Sequence, residues 1–282
     1  MIRSNMKLIY DKQNHALQYV VADNIHSSEV CAIFSTRNGG VSGQTPETEH
    51  LSSLNLRFDM DDEQDIENVM KNYEIIASSQ GFSAKDVVAL WQNHTDRVIV
   101  ITQELADKRP LYRLDVEADA LITNVKGMLL SVRTADCVPI LIYDEKTKSI
   151  GAAHSGWKGT FNQIGAKTIT RMTEMYGTNP ADLRIAIGPA AGICCYEVST
   201  EFYEDFYKKY DSDIDKFFIS EKGGKPHCNL KSMNKEFLIK AGVKESNIEV
   251  SDYCTICNPD LFYSYRRSGT KRGIMASLIG LK

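Results

Sequence analysis

The stretch Leu129–Thr160 most constrains the fold, because it contains three short apolar runs separated by polar turns. The runs are Leu129–Val132, Val138–Tyr143 and Ile150–Ala153. Apolar runs of this length bounded by turn residues predict buried strands. The second and third runs flank a charged turn at 144–148, and this spacing predicts a hairpin.

Two reactive side chains stand at the open end of that hairpin. Cys137 precedes the second run and His154 ends the third, so we expect the thiol and the imidazole to approach each other. Such a pair is the starting point of a metal site or of a Cys–His nucleophile. A second imidazole, His94, lies in a polar segment between two strand-like runs. Two imidazoles and one thiolate match a catalytic zinc site with an open fourth position.

The rest of the chain predicts a mixed-sheet α/β (α+β) fold, because strand-like and helix-like segments alternate irregularly. Neither an internal repeat nor a Pro/Gly-rich linker is visible, so residues 1–282 are expected to form one catalytic domain, its first ~30 residues being peripheral β structure. The predicted helices are Asp61–Ser79, a helix from Thr160 to a stop at Gly177, Glu201–Tyr210 and Met233–Ala241. Further strands are predicted near 7–35, 87–90, 98–102, 118–123, 183–187, 248–250 and 262–265.

Composition excludes several classes of function. Hydrophobic residues make up 43% and charged residues 25% of the 282 residues, which is typical of globular proteins. The formal net charge of −4 gives no electrostatic reason to expect a nucleic-acid partner. No apolar run reaches membrane-spanning length, and the first residues lack a signal-peptide core. Seven cysteines, an odd number, favour reduced thiols and a cytoplasmic location.

Several cationic or glycine-rich positions are candidates for binding an anion. The predicted helix start at Gly159–Thr160 would offer free N–H groups next to His154, assisted by Lys158. Arg37 beside its glycine turn and Arg266 are further candidates. For each of them, solvation at the surface is the alternative interpretation.

The remaining thiols suggest a second hypothesis. Cys254 and Cys257 form a C-x-x-C pair, and with His227-Cys228 they could form a structural zinc knuckle. The alternative is that these residues pack in the core. The adjacent pair Cys194-Cys195 is also interpreted as packing.

A series of motifs resembles a known family over residues 30–280. The segments occur in the order TRNGGVS (36–42), LNL (54–56), QNH (92–94), ADA (118–120), TADCVP (134–139), HSGWKG (154–159), GP (188–189), CYEV (195–198) and FYSYRR (262–267). This series resembles the YfiH-like family, which is named both multicopper polyphenol oxidoreductase (laccase-like) and purine nucleoside phosphorylase.

The resemblance implies a single-domain mixed-sheet α/β sandwich and a catalytic zinc held by His94, Cys137 and His154. It implies phosphorolysis of adenosine, inosine, guanosine and methylthioadenosine, together with adenosine deamination. Purine nucleosides and phosphate would be the partners of a monomer or homodimer, and Arg37, Asn55, Lys158 and Arg266 are the candidate substrate and phosphate contacts. Asn93, Ser155, Asn229 and the segment 271–273 depart from the family pattern, but none is a candidate metal ligand.

Three alternatives remain at the level of sequence. A His2Cys set also suits a type-1 copper, but a laccase needs a further copper cluster built largely of imidazoles, and only four other histidines exist: His15, His26, His50 and His227. A metal-free hydrolase would use Cys137 as nucleophile and His154 as base. A purely structural zinc would need a fourth protein ligand, and only three are found in this group.

Overall fold

The computed structural model of the chain describes residues 6–58, 63–108, 113–220 and 224–282. The strands in these residues are β1 (Lys7–Tyr10), β2 (Gln18–Val21), β3 (Val30–Ser35), β4 (Val87–Trp91), β5 (Val98–Val100), β6 (Arg113–Glu117), β7 (Ala120–Thr123), β8 (Leu129–Thr134), β9 (Val138–Asp144), β10 (Ser149–Ser155), β11 (Arg184–Ile187), β12 (Phe218–Ile219), β13 (His227–Cys228), β14 (Ile248–Val250) and β15 (Met275–Leu281).

The α-helices are α1 (Glu63–Ser78), α2 (Gln103–Asp107), α3 (Trp157–Phe161), α4 (Ile164–Tyr176), α5 (Thr200–Tyr210), α6 (Leu230–Lys240) and α7 (Tyr265–Ser268). Short 3-10 helices occupy Glu49–Leu51, Ala84–Asp86, Pro180–Asp182, Asp211–Phe217 and Glu245–Asn247. None of the helices in the described ranges is long and apolar enough to cross a membrane.

Two mixed sheets form the centre of the fold. The first has the order β1-β2-β3-β15-β8-β4-β6, and the second has the order β14-β11-β9-β10-β7-β5. Both contain parallel and antiparallel pairs, with β4 parallel to β8 and β11 parallel to β14. The predicted mixed-sheet α/β class is confirmed.

The sheets are buried on both faces, which explains why their central strands read as continuous apolar runs. Along β9, Leu141 points into the core between the two sheets, whereas its neighbours Ile140 and Ile142 pack beneath α4, α5 and α6. Along β8, Leu130 joins the inter-sheet core and Leu129 packs against α1. The layers are therefore helix, sheet, sheet and helices, a four-layer sandwich.

The predicted hairpin is confirmed and positions the candidate site. β9 and β10 pair antiparallel with His154 opposite Pro139 and Ser155 opposite Val138. Cys137, which directly precedes Val138, and His154 therefore lie at the same open end of the hairpin.

Three sequence predictions differ from the structure. The helix predicted from Thr160 instead consists of α3 and α4, separated by Gln163 at φ 56°; Thr160 lies inside α3, where its hydroxyl contacts Asn234 and Ser155. Gly177 does end α4, in the left-handed conformation. Residues 262–265 are predicted as a strand, but residues 262–264 form a loop and Tyr265 begins α7, which Ser264 caps. The strand β15, which lies in the middle of the first sheet, is not among the predicted strands. The predicted start of α1 at Asp61 lies outside the described residues.

Candidate metal centre

His94 lies in a tight loop after β4 with a left-handed backbone, at φ 58°. This conformation is uncommon for a residue with a side chain and persists only where neighbours hold it. The buried carboxylate of Asp119 does so, accepting hydrogen bonds from the backbone N–H of His94 at 3.1 Å and of Thr95 at 2.6 Å. Gln92 ties the same loop to β8 through two 2.8 Å hydrogen bonds with the backbone of Arg133.

Cys137 is half-buried in the turn between β8 and β9. The preceding residue, Asp136, has φ 92°, and its side chain points toward another segment. Its carboxylate accepts hydrogen bonds from the Thr255 hydroxyl at 2.6 Å and from the Arg266 backbone N–H at 2.7 Å. Asp136 therefore anchors the loops behind the thiol, and within the described residues it makes no hydrogen bond to His94 or His154.

His154 is buried at the end of β10, and its Nδ1 lies 2.7 Å from Asp119 Oδ1. Because the carboxylate accepts the Nδ1 proton, Nε2 is the nitrogen available as a ligand. One carboxylate thus orients the ring of His154 and also shapes the backbone that carries His94.

The three side chains converge on one point. The ligand atoms of His94, Cys137 and His154 lie within 4.8 Å of one another, and the two imidazole rings have centroids 4.9 Å apart. Gly156 is part of this arrangement, because a Cβ there would meet His94 Nδ1 at 2.5 Å and Cys137 Sγ at 3.0 Å. Any larger residue at 156 would occupy the space in which the ligand atoms meet. The donor set and this space fit a single metal ion with three protein ligands.

Charges around this point shift the pKa values of the histidines in opposite directions. Burial lowers the pKa of His154, but Cys137 and Asp119 outweigh burial and raise it to about 9. The pKa of His94 is lowered, first by burial and then by the positive charge on His154. In the metal-free protein near neutral pH, His154 is therefore the protonated ring.

His94, Cys137 and His154 line a pocket of about 860 Å³, a size that suits a small-molecule substrate. Aromatic and cationic side chains line it: Trp91, Trp157, Tyr196, Tyr265, Arg133, Arg266 and Arg272. Three of the aromatic side chains, Trp91, Trp157 and Tyr265, are about half exposed, at 42%, 41% and 54%. The pocket therefore offers flat apolar faces next to positive charge.

The candidate anion contacts divide into one that lines this pocket and three that do not. Arg266 lines it, with its guanidinium 5.1 Å from the Tyr196 ring. Arg37 lies outside the lining, and its Nε and Nη1 donate to the carbonyls of Ser52 and Pro259 at 2.9 and 3.1 Å.

Asn55 and Lys158 are also outside the lining. Asn55 is fully buried and accepts from the backbone N–H of Ile274 at 3.1 Å, so it supports a residue of the pocket wall. Lys158 is exposed on α3 above the Trp157 ring. The helix start expected at Gly159–Thr160 does not exist, because α3 begins at Trp157.

Asp119 is the residue that sequence reasoning missed. It lies in the ADA segment (118–120), which is one of the motifs of the family resemblance, but the sequence predicts no function for its aspartate. The sequence does contain one signal for it, because Asp119 directly precedes the apolar strand β7 and is therefore expected to be buried. A buried carboxylate requires hydrogen-bond donors around it, so such a residue indicates a polar site.

Comparison with known proteins gives consistent results. The family model described as "Multi-copper polyphenol oxidoreductase laccase" matches residues 31–282. "Purine nucleoside phosphorylase YlmD" of Bacillus subtilis is 36% identical over 261 residues, covering 92% of this chain and 91% of that protein. "Adenosine deaminase RL5", from an unknown prokaryotic organism, is 32% identical over 256 residues, covering 89% of this chain and 94% of that protein.

Solved structures agree with the sequence comparisons. The Bacillus licheniformis hypothetical protein YfiH superposes with a TM-score of 0.83 at 34% identity, covering 98% of this chain and 99% of that chain. YlmD from Geobacillus stearothermophilus superposes with a TM-score of 0.82 at 28% identity, covering 98% of this chain and all of that chain. The predicted resemblance is confirmed: the chain belongs to the family of multi-copper polyphenol oxidoreductase laccases, the YfiH/YlmD-type proteins whose named relatives include purine nucleoside phosphorylases.

Proposed function

We propose that the chain is a zinc-dependent purine nucleoside phosphorylase with adenosine deaminase activity, acting as one catalytic domain in the cytoplasm. The observation that supports this most directly is the combination of a three-ligand metal group with aromatic and arginine side chains in one pocket. Adenosine, inosine, guanosine and methylthioadenosine are the proposed substrates. The names of the relatives in Bacillus subtilis and of RL5 support both activities.

Zinc is the proposed metal because His94, Cys137 and His154 are ligand types that Zn²⁺ prefers, and three protein ligands leave one position open. A zinc ion held there would supply Lewis acidity and a lowered pKa for a water molecule in the pocket. Asp119 would keep the His154 proton on Nδ1, so that Nε2 stays available to the ion. The same carboxylate would hold His94 in its left-handed loop.

The pocket residues would position the nucleoside and the phosphate. Faces such as those of Trp157 and Tyr265 can stack on a purine, as aromatic rings do in other nucleobase sites. Arg266 and Arg272, the latter with its guanidinium 4.9 Å from the Tyr265 ring, bring positive charge to that wall. An oriented phosphate dianion would then attack the ribose carbon while the purine leaves, and the arginines would hold the phosphate in line.

Deamination requires a different pose in the same pocket, with C6 of adenine facing the metal group. Because both reactions would use one site, phosphate should divert adenosine from inosine toward adenine. Asp119, the carboxylate that contacts His154, already accepts five hydrogen bonds and is therefore unsuited to carry the proton during deamination.

Two rival functions, multicopper oxidation and metal-free hydrolysis, would use the same residues. Multicopper oxidation needs a second imidazole-rich site, and the described residues contain only one other metal-ligand group, which consists of cysteines. A metal-free hydrolase has a specific observation in its favour, since Cys137, His154 and Asp119 are arranged like a nucleophile, its base and the acid that orients the base. The convergence of His94 on the same point is superfluous in a hydrolase, whereas a metal uses it.

The deciding experiment incubates the purified protein with inosine in the presence and absence of phosphate, before and after treatment with a strong chelator. We expect hypoxanthine only with phosphate, loss of activity on chelation and recovery on adding zinc. Release of hypoxanthine at the same rate without phosphate, or activity that resists chelation but is lost on thiol alkylation, would contradict the proposal and favour the hydrolase.

A further inference from the structure

Four cysteines outside the first metal centre form a second compact group. Cys194 and Cys195 lie in the loop that follows β11, and Cys254 and Cys257 lie in the loop that follows β14. Because β11 and β14 are parallel neighbours, the two loops begin side by side at the carboxyl ends of these strands. The four Sγ atoms lie within 4.8 Å of one another, and Cys257 Sγ is 3.0 Å from that of Cys195 and 3.4 Å from that of Cys194.

The membership of this group corrects the sequence hypothesis of a knuckle that included His227 and Cys228. The ring of His227 is hydrogen-bonded to the carbonyl of Ile193 at 2.8 Å, and Cys228 is buried in the core below α6. The pair Cys194-Cys195, interpreted from sequence as packing, instead supplies two of the four thiols. Parallel pairing of β11 with β14, whose partner residues are 63 apart in the chain, brings the two pairs of cysteines together, and the sequence contains no signal for that pairing.

We propose that Cys194, Cys195, Cys254 and Cys257 bind a structural Zn²⁺ ion. Four thiolates at about 2.3 Å from a tetrahedral zinc lie about 3.8 Å apart, which falls within the range of the observed Sγ separations. A closed set of four protein ligands is the arrangement of structural rather than catalytic zinc. A single disulfide would use two of these sulfurs and leave the other two unexplained.

The backbone around Cys254 is arranged to hold a thiolate. The N–H of Gly192 donates to Cys254 Sγ at 3.2 Å. The thiolate is the form of cysteine that binds zinc, and an N–H donor directed at the sulfur suits that form.

The proposed ion would join the loop that contributes Tyr196 to the pocket wall to the loop of Cys254 and Cys257, which lies behind that wall. Cys195 is followed by Tyr196, which lines the pocket, and Thr255 in the C-x-x-C turn donates to Asp136 at 2.6 Å. Arg267 holds the same turn through the carbonyls of Thr255 and Ile256, at 3.2 and 3.1 Å. The ion would therefore set the position of Tyr196 and Arg266 without touching substrate.

The test measures zinc per chain in protein purified under reducing conditions with zinc present. We expect about two ions per chain in the natural protein, about one in Cys257→Ala and in Cys195→Ala, and none in Cys257→Ala combined with Cys137→Ala. Cys228→Ala is the matched control, since its backbone N–H bonds Tyr196 of the same loop but its thiol lies outside both groups; it should keep two ions. Full zinc content in Cys257→Ala would overturn the proposal.

A second measurement needs no variant and covers the case in which Cys257→Ala fails to fold. Zinc-edge X-ray absorption of the natural protein should show about 2.5 sulfur neighbours per zinc, the mean of four at one site and one at the other. About one sulfur per zinc, or a Cys195–Cys257 disulfide in the reduced preparation, would overturn it. The zinc content of the variants tests the second site separately from the first centre. If the first centre bound no zinc, Cys137→Ala would still hold the zinc of the four cysteines, whereas Cys257→Ala would lose it.

Discussion

Replacing Asp119 by Asn tests the role assigned to the buried carboxylate. The natural side chain accepts hydrogen bonds from His154 Nδ1, from the backbone N–H groups of His94 and Thr95 and from the Thr95 hydroxyl, at 2.6–3.1 Å. An amide has only one oxygen, so one set of donors must face its NH₂ group. If that set is His154, the ring proton moves to Nε2 and blocks the nitrogen that would bind the metal.

The magnitude follows from the loss of an orienting partner and of a buried charge. Loss of the group that orients a ligating histidine typically weakens metal binding 10- to 100-fold, about 1.4–2.7 kcal/mol. The metal-free protein should lose about 3 kcal/mol of unfolding free energy, because breaking a buried pair leaves donors without an acceptor. Asp119 also raises the pKa of His154, so the variant should hold the His154 proton less tightly.

The assay is competition for zinc against a chromophoric chelator, together with urea unfolding of the metal-free and zinc-loaded forms. Asp96→Asn is the matched control, because Asp96 lies two residues from His94 and its carboxylate forms a solvent-exposed ion pair with Lys167, worth less than about 1 kcal/mol. Zinc affinity of Asp119→Asn within twofold of the natural protein would refute the role of Asp119 in orienting His154.

Three further predictions concern the same site. Cys137→Ala should remove the zinc of the first centre and both activities while leaving the circular dichroism spectrum unchanged, because Cys137 is half-buried in a turn; zinc retention at that centre would contradict this. Arg266→Ala should raise the phosphate KM by about tenfold or more with a smaller change in kcat, through loss of a charged contact; an unchanged phosphate KM would exclude Arg266 from the phosphate site. Zinc affinity of the first centre should rise about tenfold per pH unit between pH 6.5 and 8, since His154, with its pKa raised to about 9, must release a proton before zinc binds; chelator competition at that centre that is flat over this range would contradict the protonation assigned to His154.

The strands around the site could be predicted because burial on both faces leaves a plain sequence signal. Val138–Asp144 and Ser149–Ser155 are buried throughout, so each is an apolar run bounded by turn residues. The hairpin between them then places Cys137 near His154 from connectivity alone. His94 could be added as a candidate only by its residue type, since its approach depends on β4, β8 and the hydrogen bonds of Asp119.

Other features depend on contacts between distant segments and have no local signal. The break between α3 and α4 at Gln163 interrupts a sequence pattern that is helical on both sides, so hydrophobic periodicity does not predict it. The position of β15 between β3 and β8 pairs residues nearly 250 apart in the chain. The engagement of Arg37 with two backbone carbonyls likewise appears only when residues 52 and 259 are brought beside it.

The most direct test of the proposed reaction identifies the sugar product formed from inosine by the zinc-loaded protein in phosphate buffer, using phosphorus NMR. Phosphorolysis predicts ribose 1-phosphate in amounts equal to the hypoxanthine released, and no product with Cys137→Ala. Free ribose with no new phosphate ester would show that water is the nucleophile, and it would contradict the account.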